Sequence, residues 1–185
     1  MDRLEPRTSL LLVVDVQERL MAAIPPAAAE RAVKNTRMLL AAAQRLGVAV
    51  LASEQNPKGL GPTVAPLAEM LRAIGVEPAD KLTFDACGDP HIADGIARHA
   101  PRAVVIAGVE AHVCVFQTVR ELAHRGLDVR VVADAVASRT EDNRLLGLAL
   151  CARAGAIPMP AESVVFDWLG RAGTDEFRAV SKLVK

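Results

Sequence analysis

The chain has 185 residues, of which 22 are basic and 22 are acidic, so its formal net charge is zero. This length fits one compact domain with a substantial apolar core, and we expect a single domain over residues 1–185. A balanced charge without a basic patch argues against nucleic acid or an anionic membrane as a partner, because such binding needs an excess of basic side chains. The apolar stretches are shorter than the roughly 20 residues of a membrane helix. The N-terminus lacks the basic-then-apolar order of a signal peptide, so we expect a cytoplasmic protein.

Strands and helices are predicted to alternate in the first half of the chain. In chain order the pattern predicts a strand at 9–14, a helix that includes 29–43, a strand at 48–52, a loop at 56–62, a helix at 64–74, an extended segment at 81–84 and a helix that opens at Asp89-Pro90. Gly47 and Gly75 follow the first two helices, in the position that glycine favours at helix ends. Asp89 has the residue type of a helix N-cap, and Pro90 suits the first helical position.

The same alternation continues in the second half. It predicts, in order, a strand at 103–107, a helix that includes 115–123, a strand at 129–133, a helix that runs to Gly155, a short strand at 164–166 and a terminal helix capped at Thr174. Ser138 and Glu141 have capping-box spacing for the helix that ends before Gly155. The order predicts a three-layer α/β/α domain with a mainly parallel, Rossmann-like sheet of five or six strands.

Three reactive side chains fall where strands of this sheet are predicted to end or begin. Asp15 follows the first strand directly, Lys81 opens the extended segment, and Cys114 follows the strand at 103–107 by a short turn. Ligands gather at the carboxyl ends of parallel strands. Cys114 falls near the start of a helix, a position that lowers the pKa of a thiol. A carboxylate could take the thiol proton and an ammonium could hold the thiolate, so the set is sufficient for nucleophilic catalysis.

Each of these residues also has an ordinary structural interpretation. Asp15 could cap a helix, Lys81 could be a surface lysine, and Cys114 could be a small buried apolar side chain. Sequence spacing does not show that the three meet. The other two cysteines, Cys87 and Cys151, have no metal-like spacing and are expected to be structural thiols.

Three motifs resemble those of the isochorismatase-like hydrolases, a superfamily that includes nicotinamidases and N-carbamoylsarcosine amidohydrolases. They are Leu-Leu-Val-Val-Asp-Val-Gln at 11–17, Lys81 before Phe84, and Gly-Val-Glu-Ala-His-Val-Cys-Val at 108–115. The third motif is the most specific, and the resemblance covers nearly the whole chain in order. Residues 53–61 resemble one branch of the superfamily, the isochorismatase domain-containing proteins.

The resemblance implies a covalent mechanism. Asp15 would take the proton of Cys114 and return it to the leaving group, Lys81 would hold Asp15 and favour the thiolate, and Cys114 would attack a carbonyl-type carbon. A cis peptide would join Val109 to Glu110, and the backbone N–H groups of Glu110 and Cys114 would form the oxyanion hole. Relatives also form oligomers, so we expect a homo-oligomer.

Two departures from the family pattern narrow the expected reaction. Nicotinamidases carry a metal-binding Asp-x-His after the second strand, where this chain has Ser53-Glu54-Gln55. We therefore expect neither a metal nor another cofactor. Isochorismate hydrolases lack the nucleophilic cysteine that this chain has at Cys114. The expected activity is therefore hydrolysis of a small amide-like substrate at a C–N bond.

Six further residues are candidates for the substrate pocket: Gln17, Glu54, Gln55, Phe84, His112 and Phe116. Five of them have an alternative interpretation, because Glu54 and Gln55 could begin a solvated loop, the two phenylalanines could be core, and His112 could point away from the substrate. A thiol protein on the same fold that senses oxidants without turnover is a second functional hypothesis. A hydrolase of a small non-amide substrate is a third.

Overall fold

Six parallel strands form one sheet in the computed structural model, which describes residues 2–184. The strands are β1 (Ser9–Val14), β2 (Ala49–Gln55), β3 (Ala79–Lys81), β4 (Ala103–Val109), β5 (Asp128–Ala137) and β6 (Ile157–Met159). Their spatial order is β3-β2-β1-β4-β5-β6. Both edge strands have three residues, which leaves little unpaired backbone for other chains to join.

Helices cover both faces of this sheet. They are α1 (Glu18–Ala22), α2 (Pro26–Leu46), α3 (Pro57–Leu60), α4 (Ala65–Ala73), α5 (Pro90–His99), α6 (Phe116–His124), α7 (Glu141–Arg153), α8 (Ala161–Leu169) and α9 (Asp175–Val180). Short 3₁₀ turns occur at Pro6–Thr8 and Ala86–Gly88, and a π-helical turn spans Ala111–Val115. The three-layer α/β/α fold predicted from the sequence is therefore confirmed. Among residues 2–184, no helix combines the length and apolar composition that crossing a bilayer requires.

The two faces of the sheet belong to separate apolar cores. On β1, Leu11 and Val13 pack toward α2, α4 and α8, whereas Leu10, Leu12 and Val14 pack toward α5 and α6. Every residue of β1 and β4 is buried, as expected for central strands covered on both faces. These rigid strands fix the positions of the residues that follow them.

Helix ends follow the sequence signals at several points. Gly47 ends α2 in the left-handed conformation with φ of 72°. Asp89 accepts hydrogen bonds from the first turn of α5, and Thr174 accepts one from Phe177 at the start of α9. These capping predictions are confirmed.

Other local predictions are wrong. Residues 164–166 lie within α8, where buried side chains recur at helical spacing, and the last strand is β6 instead. A three-residue apolar run does not distinguish a strand from a buried helix. The cap of α7 is Thr140, which accepts from Asn143, not Ser138. The predicted loop at 56–62 contains the single turn α3, and the extended segment predicted at 81–84 lies slightly earlier, as β3.

Candidate functional site

The strand order reverses between β1 and β4, and the candidate residues lie at this end of the sheet. Val14 pairs in register with Ser53 of β2 and with Gly108 of β4, and Gln55 of β2 pairs with Lys81 of β3. The ends of these strands therefore lie side by side. A crevice outside the strand ends, at such a reversal point, is the usual ligand site of open α/β sheets.

Gly108 allows β4 to approach β1 closely just before the turn that leads to Cys114. Its φ is 133°, and a Cβ built there would lie 2.0 Å from the backbone oxygen of Val14. Only glycine fits a position where a neighbouring backbone comes so near. This close contact fixes the point at which the chain enters the π-helical turn Ala111–Val115. We name this segment the nucleophile turn, because it carries the candidate nucleophile Cys114.

Asp15 is fully buried and both of its carboxylate oxygens are engaged. The hydroxyl of Ser53 donates to Oδ1 at 2.8 Å, and the ammonium of Lys81 donates to Oδ2 at 2.7 Å. The backbone at Asp15 is left-handed, with φ of 52°, a conformation that aspartate tolerates better than most residues. The sharp turn and the two bonds hold the carboxylate at the end of β1.

Lys81 is buried at the end of β3 and has four acceptors around its ammonium. Besides Asp15, Nζ lies 2.8 Å from Oε1 of Gln55, 3.1 Å from the carbonyl oxygen of Thr83 and 3.3 Å from that of Phe84. Neither Lys81 nor Asp15 exposes its side chain to solvent. The sequence-based alternatives of a surface lysine and a helix N-cap are therefore wrong for this pair.

Cys114 lies in the π-helical turn before α6 and is 6% exposed. Burial, together with the negative charge of Asp15 and its hydrogen bond with the thiol, raises the pKa of Cys114 to about 12. Lys81 acts in the opposite direction but does not compensate. The expectation of a lowered pKa is therefore wrong, because burial and a nearby carboxylate outweigh the helix N-terminus. Cys114 is therefore a neutral thiol at rest, beside a carboxylate that can accept its proton.

Cys87 and Cys151 are also buried free thiols, and burial raises the pKa of each to about 12. A thiol whose pKa is higher in the folded than in the unfolded chain stabilises the fold below its unfolded pKa and loses that contribution as the pH rises toward its folded pKa. We therefore expect the free energy of unfolding to fall between about pH 9 and pH 12, as measured by urea denaturation at each pH. Replacing Cys87 and Cys151 by Ala should make this fall shallower, and an unchanged slope would contradict it.

The nucleophile turn is supported from outside by Glu110 and α7. A cis peptide joins Val109 to Glu110, and the Glu110 carboxylate accepts from the backbone and the Nε of Arg139, at 2.9 and 3.1 Å. Helix α7 touches the turn at Gly147, where a Cβ would lie 2.7 Å from backbone atoms of Ala111 and His112. The turn is therefore held by an ion pair on one side and by close backbone packing on the other.

Gly147→Ala should displace the nucleophile turn, because the atoms that the new methyl group meets are backbone atoms that cannot rotate away. We expect a loss of about 1–3 kcal/mol in the free energy of unfolding by urea denaturation, as for other overpacked sites, and a changed rate of Cys114 alkylation by iodoacetamide. Gly95→Ala in α5 is the matched control, since its methyl group meets only the flexible side chain of Leu51. Equal effects of the two substitutions on alkylation of Cys114 would contradict this role of Gly147.

Two of the six predicted pocket residues have structural roles instead. Gln17 is fully buried, and both protons of its amide go to carbonyl oxygens, of Gln55 at 3.1 Å and Gly61 at 2.7 Å. Glu54 accepts two bonds of 2.6 Å from the backbone and hydroxyl of Thr63. The Gln17 amide and Oε1 of Glu54 therefore fasten the loop after β2, which favours a structural role for both residues over the predicted place in a substrate pocket.

The other four predicted pocket residues have different surroundings. The side-chain oxygen of Gln55 contacts the ammonium of Lys81, and so does the backbone carbonyl oxygen of Phe84; Phe84 itself is 54% exposed. Nδ1 of His112 lies 3.1 Å from the hydroxyl of Ser138, so its ring is directed toward the end of β5. Phe116 is half-buried, with the guanidinium of Arg120 5.3 Å above its ring. Gln55 and Phe84 are thus the pocket candidates nearest to the Lys81 ammonium.

Three supporting residues were missed by the sequence reasoning. The hydroxyl of Ser53 donates a hydrogen bond to Asp15, and Gly147, which has no side chain, leaves room for the backbone of the nucleophile turn. Thr118 donates to the carbonyl oxygen of Cys114 and accepts from the backbone of Ala86, so it ties the start of α6 to the segment after Lys81. The only available signals were a serine at the end of an apolar strand and a glycine in the middle of a helix.

Cleft size alone does not identify the site. A cleft of about 640 Å³ lies beside the first half of β2, lined by apolar residues with Gln44, Glu77 and His99 at its rim. It contains none of the candidate residues and no paired reactive groups. Among residues 2–184, no group of three or more His, Cys, Asp or Glu side chains is placed to hold a metal. We assign the chemistry to the strand ends because the reactive side chains converge there.

Known proteins are similar to this chain over nearly its whole length. The isochorismatase domain model matches residues 9–163, a range that includes Asp15, Lys81 and Cys114. The chain is 35% identical to a secreted isochorismatase effector, Isc1, of Phytophthora sojae, covering 99% of this chain and 87% of that protein. It is 33% identical to isochorismatase domain-containing protein 2A of Mus musculus, covering 99% and 85% of the two chains.

The structure of a protein named MAR1 ribonuclease from Caenorhabditis elegans superimposes with a TM-score of 0.92 at 36% identity, over 99% of this chain and 92% of that one. The domain model and the two relatives show the family, and the superposition shows the fold. The chain belongs to the isochorismatase family and has its hydrolase fold.

Proposed function

We propose that this chain hydrolyses the C–N bond of a small amide-like substrate through a covalent thioester on Cys114, without a metal or another cofactor. The observation that carries the proposal is the buried contact between Lys81 and Asp15 beside the neutral thiol of Cys114. Family membership supports a hydrolase. The two residues that stand where metal-binding relatives carry ligands, Ser53 and Gln55, bond Asp15 and Lys81 instead, which supports a metal-independent reaction.

The first half of the reaction forms the thioester. Sγ of Cys114 attacks the carbonyl carbon of the substrate while its proton passes to the Asp15 carboxylate. The backbone N–H groups of Glu110 and Cys114 would stabilise the oxyanion. The protonated Asp15 then gives the proton to the leaving nitrogen, the C–N bond breaks and an amine or ammonia departs.

The second half releases the acid product. Water attacks the thioester carbon and gives a proton to Asp15, the C–S bond breaks, and the departing sulfur takes the proton back from Asp15. Lys81 keeps its proton throughout and stabilises each state in which Asp15 is charged. Since the pKa of Cys114 is about 12, the thiolate is not formed in advance, and Asp15 has to act as a general base.

The substrate is expected to be small, because Cys114 is 6% exposed and its two partner side chains are fully enclosed. The decisive experiment incubates the purified protein with a panel of small primary and secondary amides and measures ammonia or amine release. A mass increase on Cys114 equal to the acyl group should appear under rapid quenching. Cys114→Ala should abolish both signals. Turnover that survives Cys114→Ala would overturn the mechanism.

The relative named MAR1 ribonuclease raises RNA cleavage as a second candidate function. The formal net charge of zero and the enclosed site both disfavour a polyanionic polymer as substrate. A labelled RNA in the same panel tests this directly. Cleavage that Cys114→Ala abolishes would replace the amide proposal by the nuclease one.

The raised pKa of Cys114 also separates hydrolysis from oxidant sensing. Sensor cysteines are accessible thiolates, because the thiolate is the species that reacts with peroxide. At a pKa of about 12, little thiolate exists near neutral pH. We therefore favour the hydrolase, and rapid reversible oxidation confined to Cys114 under mild peroxide would favour the sensor.

We also propose a cytoplasmic location. The three cysteines are all unpaired and buried, as is usual where thiols are kept reduced. One relative is named as a secreted effector, so fractionation of the source cells with an antibody against the chain is the appropriate test. Recovery in the medium would contradict the proposal.

A further inference from the structure

Helix α7 presents an apolar stripe to solvent. Leu145, Leu146 and Leu150 are 52%, 63% and 41% exposed, and Ala149 between them is exposed as well. These three leucines are among seven large apolar side chains that are exposed in residues 2–184. The opposite side of the helix is buried through Gly147 and Cys151. Exposed leucines clustered on one face of a helix are typical of an interface.

Opposite charges stand at the two ends of this stripe. Asp142 lies in the first turn and Arg153 in the last, and both are exposed. They are eleven residues apart, which is close to three full turns, so they share the face of Leu146. The rise of about 1.5 Å per residue separates them by about 16 Å, too far for an ion pair within the helix. Neither forms an ion pair with another residue of the described chain.

We propose that α7 is the interface between two copies of this chain, packed antiparallel across a two-fold axis. In that arrangement Asp142 faces Arg153 of the second copy, Leu145 faces Leu150, and Leu146 faces Ala149. In a two-fold interface each copy contributes the same surface, so that surface must complement itself. The charges of this stripe complement themselves only when the two helices run in opposite directions. The opposed helix dipoles also favour the antiparallel arrangement.

The occupant is a second copy because the charges of the stripe complement each other. A parallel arrangement would place Asp142 against Asp142 and Arg153 against Arg153. One helix pair covers less than the roughly 1,200–2,000 Å² of a standard interface, so dimerisation should depend on protein concentration. The interface does not rest on the proposed reaction.

Dimerisation through α7 would also stabilise the nucleophile turn. The stripe and Gly147 lie on opposite sides of the same helix, and Gly147 packs on the backbone of Ala111 and His112. A partner that immobilises α7 therefore restrains the turn that carries Cys114.

Sedimentation equilibrium over a range of concentrations tests the interface. The native chain should form dimers or larger assemblies built from them, and Leu146→Glu should raise the dissociation constant at least tenfold while circular dichroism and thermal melting show an intact fold. Leu183→Glu is the matched control. Leu183 is also exposed, and it follows α9, which packs on α2 at the opposite face of the sheet. A monomeric native chain, or equal effects of the two substitutions, would overturn the proposal.

A charge exchange tests the antiparallel pairing. Asp142→Arg and Arg153→Asp should each weaken association, because each places like charges opposite one another. The double variant D142R/R153D should restore association to near the native level. Since the two positions are too far apart to pair within one helix, restoration can come only from contacts between copies. Failure of the double variant to associate more tightly than either single variant would overturn the antiparallel arrangement.

Discussion

Asp15→Asn should lower turnover strongly and at the same time make Cys114 more reactive toward a small alkylating reagent. Asparagine cannot take the thiol proton, so we expect amide hydrolysis to fall by roughly 10²–10⁴-fold, the usual contribution of a general base. The carboxylate charge also raises the pKa of Cys114, whereas Lys81 lowers it. Removing the charge while keeping the ammonium therefore lowers the pKa and increases the thiolate fraction at neutral pH.

Iodoacetamide labelling followed by peptide mass spectrometry measures this effect site by site. Below the thiol pKa, the rate should rise roughly threefold to fourfold for each unit by which the pKa falls, because the larger thiolate fraction is partly offset by lower nucleophilicity. Cys87 and Cys151 serve as references in the same sample, since neither pKa depends on Asp15.

Ser53→Ala is the matched control for the charge of Asp15. It removes the 2.8 Å bond to Oδ1 but leaves the carboxylate charge in place, so labelling of Cys114 should stay near the native rate. If Asp15→Asn leaves labelling unchanged or slows it, Asp15 does not govern the thiol and the assigned mechanism fails.

The overall fold was predictable from the sequence because its signals are local. Buried strands such as β1 and β4 are continuous apolar runs, and Asp89 and Thr174 cap their helices with hydrogen bonds that span two or three residues. The prediction failed where a short apolar run is compatible both with the two-residue period of a strand and with the 3.6-residue period of a helix. Residues 164–166 show this, because only the burial of Ala161 and Trp168 on the same side identifies a helix.

The residues that meet at the candidate site were predictable from the sequence, but the electrostatics around them were not. Motifs and strand ends identified Asp15, Lys81 and Cys114, yet the direction of the Cys114 pKa shift depends on burial and on a carboxylate 99 residues away in the chain. The roles of Ser53 and Gln17 depend on strand register, which pairs Val14 with Ser53. No pattern of neighbouring residues encodes these long-range contacts.

Lys81→Met should destabilise the protein strongly. Both side chains of the Lys81–Asp15 pair are fully buried, and the ammonium is hydrogen-bonded to four oxygen atoms. Removing one partner leaves the Asp15 carboxylate buried without a counter-charge, for which we expect a loss of about 3–5 kcal/mol in the free energy of unfolding. Urea denaturation measures the loss. Breaking the exposed pair of Arg125 and Glu121 by Glu121→Gln should cost about 0.5 kcal/mol or less.

The double variant D15N/K81M separates the role of Lys81 in stability from its role in the reaction. With neither charge present, no uncompensated ion remains in the core, and at least half of the lost stability should return. Turnover should stay strongly lowered, because the double variant still lacks the general base. Labelling of Cys114 gives a further check, since Lys81→Met removes the charge that lowers the thiol pKa and should slow alkylation, opposite to Asp15→Asn. A Lys81→Met variant as stable as the native chain would show that the pair is not buried as described.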